Sequence, residues 1–142
     1  VSAFSNYLES ALLDATLRGA SFTAPAELHL ALFTDDPTDA GSGSELTPAS
    51  YPGYMRMPIA ADGTGFAAPV TMPDGSTRCS NAVLVEYPLA VADWPDAVRY
   101  FGLYDAATGG NLLFHGVVTP SRTLVAGDNI RFPVGAIRIS LD

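Results

Sequence analysis

The chain has 142 residues, 48% of them hydrophobic, with 13 Gly, 11 Pro and one cysteine. That length fits a single domain burying about two thirds of the surface its unfolded chain exposes, and a lone thiol excludes both an intrachain disulfide and a zinc centre built on several thiolates. Fifteen acidic residues stand against seven basic ones, all Arg, for a net charge of −8; without a basic stripe, nucleic acid and anionic membrane are poor partners.

No basic segment precedes an apolar core at the N-terminus, so no signal peptide is expected. No apolar run approaches the roughly 20 residues of a membrane span. The first predicted element is a helix over residues 2–17, in which Phe4, Tyr7, Leu8, Ala11, Leu12 and Ala15 form one apolar stripe. Ser2 is placed to cap its start, and Arg18 and Gly19 to close its end. Such a helix packs on its own domain or docks on a neighbouring subunit, which makes Tyr7 and Leu12 candidate interface residues.

After Pro25, Leu28, Leu30 and Leu32 alternate with Glu27, His29, Ala31 and Phe33, the pattern of a strand. His29 reads as an outward polar residue, since one His without a second ligand nearby makes no metal site. Residues 35–52 form a loop without periodicity, long enough to be functional or mobile. Its carboxylates Asp35, Asp36, Asp39 and Glu45 lack the spacing of an EF-hand and read as turn-forming groups rather than a Ca²⁺ site. The loop also suits an arm that orders against a partner, with Tyr51 and Tyr54 as its anchors.

Short strands follow. Met55, Met57 and Ile59 alternate around Pro58, which points to a sheet edge, and residues 62–65 turn the chain. Residues 66–72 form a weaker strand, closed by a turn at 73–76, and the single Cys79 reads as a small half-buried residue beside a strand. Residues 81–87, apolar on both faces, predict a central strand. Trp94, the only tryptophan, is expected to be buried with its N–H bonded; the competing reading is stacking on carbohydrate.

The strongest hairpin signal spans residues 98–119, where two aromatic and β-branched runs flank the turn at 105–111 with its Asp, Gly-Gly and Asn. Continued alternation puts Tyr100, Tyr104, Leu112, Phe114 and Val118 on one face, and Phe101, Leu103, Leu113 and Val117 on the other. With both faces apolar, the second is covered by the helix or by a neighbouring subunit, so Phe101, Leu103 and Leu113 join the candidate interface. A short strand at 123–125, a turn at 126–129, Ile130 and Phe132, and alternating Ile137, Ile139 and Leu141 complete the chain. Eight or nine strands after one helix give a mainly β, antiparallel β-sandwich in one domain, residues 1–142.

Catalytic spacing is missing. His29 and His115 have no carboxylate at motif distance, and no metalloprotease or nucleophile-elbow element occurs. Asp side chains mostly sit beside Gly, Pro or Asn, where they serve turns. The expectation is a non-enzymatic protein with no cofactor, no metal and no small-molecule substrate.

Several blocks resemble a family of small tailed-bacteriophage virion proteins, capsid cement or decoration proteins often labelled tail-fibre proteins. They are Ser-Asn-Tyr-Leu-Glu-Ser-Ala-Leu-Leu-Asp from Ser5, Ala-Leu-Phe-Thr-Asp-Asp-Pro-Thr-Asp-Ala-Gly from Ala31, Ala-Asp-Trp from Ala92 and the hairpin from Phe101 to Gly116. The Ala-Gly-Asp turn at Ala126 and the closing Ile-Ser-Leu-Asp agree with them. Departures gather in residues 47–77, where Pro48, Pro52, Pro58 and two methionines replace a plainer Gly-rich pattern. The resemblance implies a jelly-roll-like sandwich made in the host cytoplasm and carried on the outer capsid surface. There it would bind the major capsid protein and copies of itself as a dimer or trimer, stabilising the shell. The alternative it implies is a tail-fibre or other tail component that binds a receptor or carbohydrate.

Overall fold

The computed structural model describes residues 2–142, Ser2 through its backbone only. Five strands make the larger sheet: β1 (Ser2–Phe4), β2 (Glu27–Phe33), β3 (Met57–Ala60), β7 (Val98–Tyr104) and β8 (Leu112–Arg122). Their order is β1-β8-β7-β2-β3, and every pairing is antiparallel. A three-stranded sheet runs β10 (Arg138–Leu141), β5 (Thr77–Ser80), β4 (Val70–Thr71), and β6 (Val85–Glu86) pairs with β9 (Arg131–Phe132). One buried cluster joins all three: Leu30, Leu32, Phe101 and Leu103 from the large sheet meet Ile139 of β10, Val85 of β6 and Phe132 of β9. The chain is therefore mainly β in a sandwich-like arrangement, with the core between the layers.

The single α-helix among the described residues, α1 (Asn6–Leu17), begins later than the apolar stripe predicts. Ser5, not Ser2, is the N-cap: its hydroxyl accepts from the Leu8 amide at 3.2 Å and itself donates to the Leu112 carbonyl. The residues ahead of it are drawn into β1 by pairing with β8, so a tertiary ladder overrides helical spacing. The C-terminus follows expectation, with Arg18 as the C-cap and Gly19 at φ 71°.

The hairpin β7–β8 forms as predicted, and β7 lies at the centre of the large sheet. Its face assignment needs correction. Leu103 pairs with Phe114 but Tyr104 with Leu112, so Leu113 is an extra residue in a bulge that shifts the alternation by one. Phe114 and Val118 consequently join Phe101 and Leu103 in the main core. Tyr100, Tyr104 and Leu112 cluster with Ala31 and Phe33 on the outer face. Gly102 permits that outer cluster: a Cβ there would come within 2.8 Å of Leu112 and 3.0 Å of the Phe33 ring.

Residues 81–87 do not make a central strand; only Val85–Glu86 is extended in a sheet. Asn81 is the reason. Its buried carboxamide donates to the carbonyls of Val83 (2.8 Å) and Pro133 (2.9 Å) and accepts from the Ile137 amide (2.8 Å), binding three segments where a ladder would run. Residues 66–72 shrink to β4 and an isolated bridge from Phe66 to Asn81. Residues 123–125 carry no strand, whereas β5, holding half-buried Cys79, is one that periodicity missed.

Two turns share one device. Asp62 accepts from the Thr64 hydroxyl (2.6 Å) and amide (2.9 Å), and Asp74 from the Ser76 hydroxyl (2.7 Å) and amide (3.0 Å). In each, the hydroxyl first and the amide second favour the ionised carboxylate and hold it below the model-peptide value of 3.8. A depressed folded pKa contributes stability that is complete above the unfolded value and is lost as pH falls through the folded value. Carboxyl-carbon NMR titration should place both groups below 3.8, with Asp62→Asn and Asp74→Asn each reducing the acid sensitivity of unfolding.

Candidate functional site

The most densely bonded side chain is Arg56, just ahead of β3. Its Nε and one terminal nitrogen donate to the two Glu45 oxygens at 2.8 and 2.7 Å, and its other terminal nitrogen donates to the carbonyls of Ala106 and Gly109, both at 2.8 Å. The guanidinium carbon sits 3.7 Å from the centre of the Tyr104 ring. Burial works against the charge, but the hydrogen bonds and charge of Glu45 outweigh it and raise the Arg56 pKa. Tyr54 completes the knot: its hydroxyl donates to Glu45 at 2.8 Å and accepts from the Leu32 amide at 3.2 Å. Burial first, and Glu45 second, push that hydroxyl far above the usual tyrosine range.

His115 is the group with most chemical potential, and two Asp side chains from the long loop reach it. Its Nε2 lies 2.9 Å from Asp39 and its Nδ1 3.6 Å from Asp36. Sequence spacing missed this contact because the partners are 76 residues apart. A catalytic imidazole presents one nitrogen to an orienting carboxylate and the other to a nucleophile; here carboxylates face both. The remaining loop carboxylates diverge as well. Asp35 accepts from the Ser44 amide and hydroxyl, and Glu45 is engaged by Arg56. Among the described residues, no group of three or more His, Cys, Asp or Glu could hold a metal ion.

The structure puts most of the sequence-predicted interface residues inside the molecule. Tyr51, Tyr54, Phe101, Leu103 and Leu113 are all buried, so they are core residues and offer a partner nothing as the chain stands. Tyr51 meets the Trp94 ring edge-on, centroids 5.6 Å apart, and its hydroxyl donates to Asp96. Trp94 is 3% exposed, with its indole N–H donating to the Pro52 carbonyl at 3.2 Å, which removes the ring from carbohydrate stacking. Of the seven candidates, only Tyr7 (46% exposed) and half-buried Leu12 remain near the surface, both on α1.

Two apolar features escaped the sequence reading. Leu89, Val91 and Val125 are exposed on loops beside Trp94, the last of them in a stretch read as strand. At the other end of β7, an apolar pocket of about 370 Å³ opens between the sheets, lined by Leu28, Phe66, Leu103, Phe114 and Ile139 among others. Apart from the Thr77 hydroxyl and the Cys79 thiol in the pocket, their side chains are apolar, and both suit contact with apolar surface.

Removing Arg56 leaves the Glu45 carboxylate and two turn carbonyls without their donor. Arg56→Ala should therefore cost about 3–5 kcal/mol in urea unfolding. Arg56→Lys, which keeps the charge but loses the fork, should fall between the wild type and Arg56→Ala.

No curated protein matches the chain. A family profile described as podophage GP4 fiber I protein gp80 matches residues 3–140 and so takes in all three sheets, α1 and the Arg56 knot. The chain belongs to this gp80 family of tailed-phage virion proteins.

Proposed function

We propose that this virion protein is a non-catalytic attachment subunit, a rigid β-sandwich that decorates the outer capsid shell by docking on the major capsid protein. Placement on the shell rests on the surface properties that follow, while the family match over residues 3–140 carries the coarser part of the reading, a structural virion protein. The side chains best suited to chemistry support it: both His115 nitrogens face structural carboxylates, and the Arg56 fork is consumed within the fold. A compact domain with exposed aliphatic positions suits repeated weak docking, and many copies on one particle make such contacts strong by avidity. A surface carrying net −8 also avoids packaged nucleic acid.

A second reading, attachment to the tail as a fibre component, is favoured by the family's own description as a fiber protein. Receptor recognition under that reading needs residues other than buried Trp94. Cryo-electron microscopy of the purified virion, with a count of protein copies per particle, decides between the two. Density of this size and fold over the shell in hundreds of copies is the expected result; a handful of copies confined to the tail would replace it with the fibre reading.

A further inference from the structure

The two ends of the sandwich carry apolar surface of opposite kinds, exposed aliphatic side chains at one and an open pocket at the other. At one end, Leu89, Val91 and Val125 are 59%, 75% and 54% exposed. Their loops are nonetheless fixed by backbone bonds. The Ala90 amide donates to Asp128 at 2.7 Å and the Gly127 amide returns to Ala90 at 2.8 Å; the Val91 amide donates to Pro52 at 3.0 Å and the Trp94 amide to Leu124 at 2.9 Å. Asp93 accepts from the Ala126 amide at 2.9 Å and ties the second loop to the first. The result is a pre-formed apolar knob, whose docking loses little loop entropy.

The pocket lies at the opposite end. β7 and β8 pair Val98 with Arg122 beside the knob and Leu103 with Phe114 in the pocket wall. Five strand steps separate those pairs, about 16 Å at the usual rise, so the knob cannot fill the pocket of its own chain. The only side-chain heteroatoms in the lining are the Thr77 hydroxyl and the Cys79 thiol. That lining has almost nothing with which to orient a polar ligand, and it selects an apolar occupant. Its volume of about 370 Å³ is more than twice that of an apolar protein cavity known to take benzene, about 150 Å³. Two aliphatic side chains fit it together.

We infer that copies of this protein associate head to tail, with Leu89 and Val91 of one copy seated in the pocket between the sheets of the next. The surfaces in contact differ, so the contact is heterologous: repeated, it closes into a ring or runs on as a filament rather than stopping at a two-fold dimer. It holds on the shell or on the tail alike and does not depend on the placement proposed above.

Sedimentation velocity over a concentration series tests the inference, with two variants at exposed positions outside the core. Val91→Asp puts a charge on the knob, and Ala61→Arg puts one at the pocket mouth. Wild type should grow past dimer as concentration rises. Each variant alone should associate at least tenfold more weakly while keeping wild-type circular dichroism. An equimolar mixture of the two retains one intact knob and one intact pocket, and should stop at a dimer containing one copy of each. A wild type that stays monomeric, folded variants that assemble like wild type, or a mixture that stays monomeric would each overturn it.

Discussion

A buried guanidinium must be paired, and the pairing of Arg56 with Glu45 is the constraint on which the upper half of this sandwich depends. One side chain joins the loop after β2, the start of β3, the turn of the central hairpin and the aromatic outer face. β3 pairs only with residues 27–30, which would leave the end of β2 as an open edge. The segment held by the fork closes it: the Leu46 amide donates to Leu32 at 2.9 Å, the Leu32 amide reaches Tyr54, and Phe33 bridges to Glu45. Open strand edges invite foreign pairing, so this knot protects the fold as well as stabilising it.

The same knot changes what the long loop is for. Its length and turn-rich composition suggest a mobile arm, yet its anchoring tyrosines point inward. Tyr54 stacks on Tyr87, centroids 6.3 Å apart, and the Tyr87 hydroxyl donates to the Leu30 carbonyl at 2.6 Å. Tyr51 packs beneath the loops that carry Trp94. A loop whose Asp39, Glu45 and Tyr51 side chains are engaged by the body of the domain, and whose Asp35 is bonded to Ser44 within the loop, has little left with which to capture a partner. Part of the outer face of the central hairpin is likewise covered by the chain itself, with Arg56 lying on Tyr104, while Val117 on the same face stays half exposed.

Elements written in local alternation were legible from the residues: β2, the β7–β8 hairpin, the edge position of β3 and the C-terminus of α1. The errors arose where a distant contact decided the outcome. β1 exists because β8 pairs with it, and Asn81 stops a strand by bonding residues more than 50 positions away. Leu113 is a bulge residue that no periodicity marks, and one inserted residue sends Phe114 and Val118 to the other face. Interface and core failed to separate for a related reason. Aromatic residues suit both, so hydrophobicity alone placed Tyr51, Tyr54 and Phe101 at a surface they do not reach, while Val125 passed as strand and Leu89 and Val91 went unread.

Charge then constrains how these surfaces are used. Of the seven Arg side chains, those of Arg18, Arg56 and Arg131 are in ion pairs with Asp14, Glu45 and Glu86, so much of the positive charge is locally compensated and the acidic excess remains. Two copies meeting through apolar ends therefore approach against like net charge, with Asp93, Asp96 and Asp128 close to the knob. Salt screens that repulsion over about 8 Å at physiological ionic strength and leaves apolar burial intact. Were this acidic surface to meet a basic patch on a partner, that attraction would be screened in the same way, with the opposite result. Added salt would thus strengthen the inferred contact between copies and weaken any attachment to a basic partner, so the two kinds of contact would separate by sign.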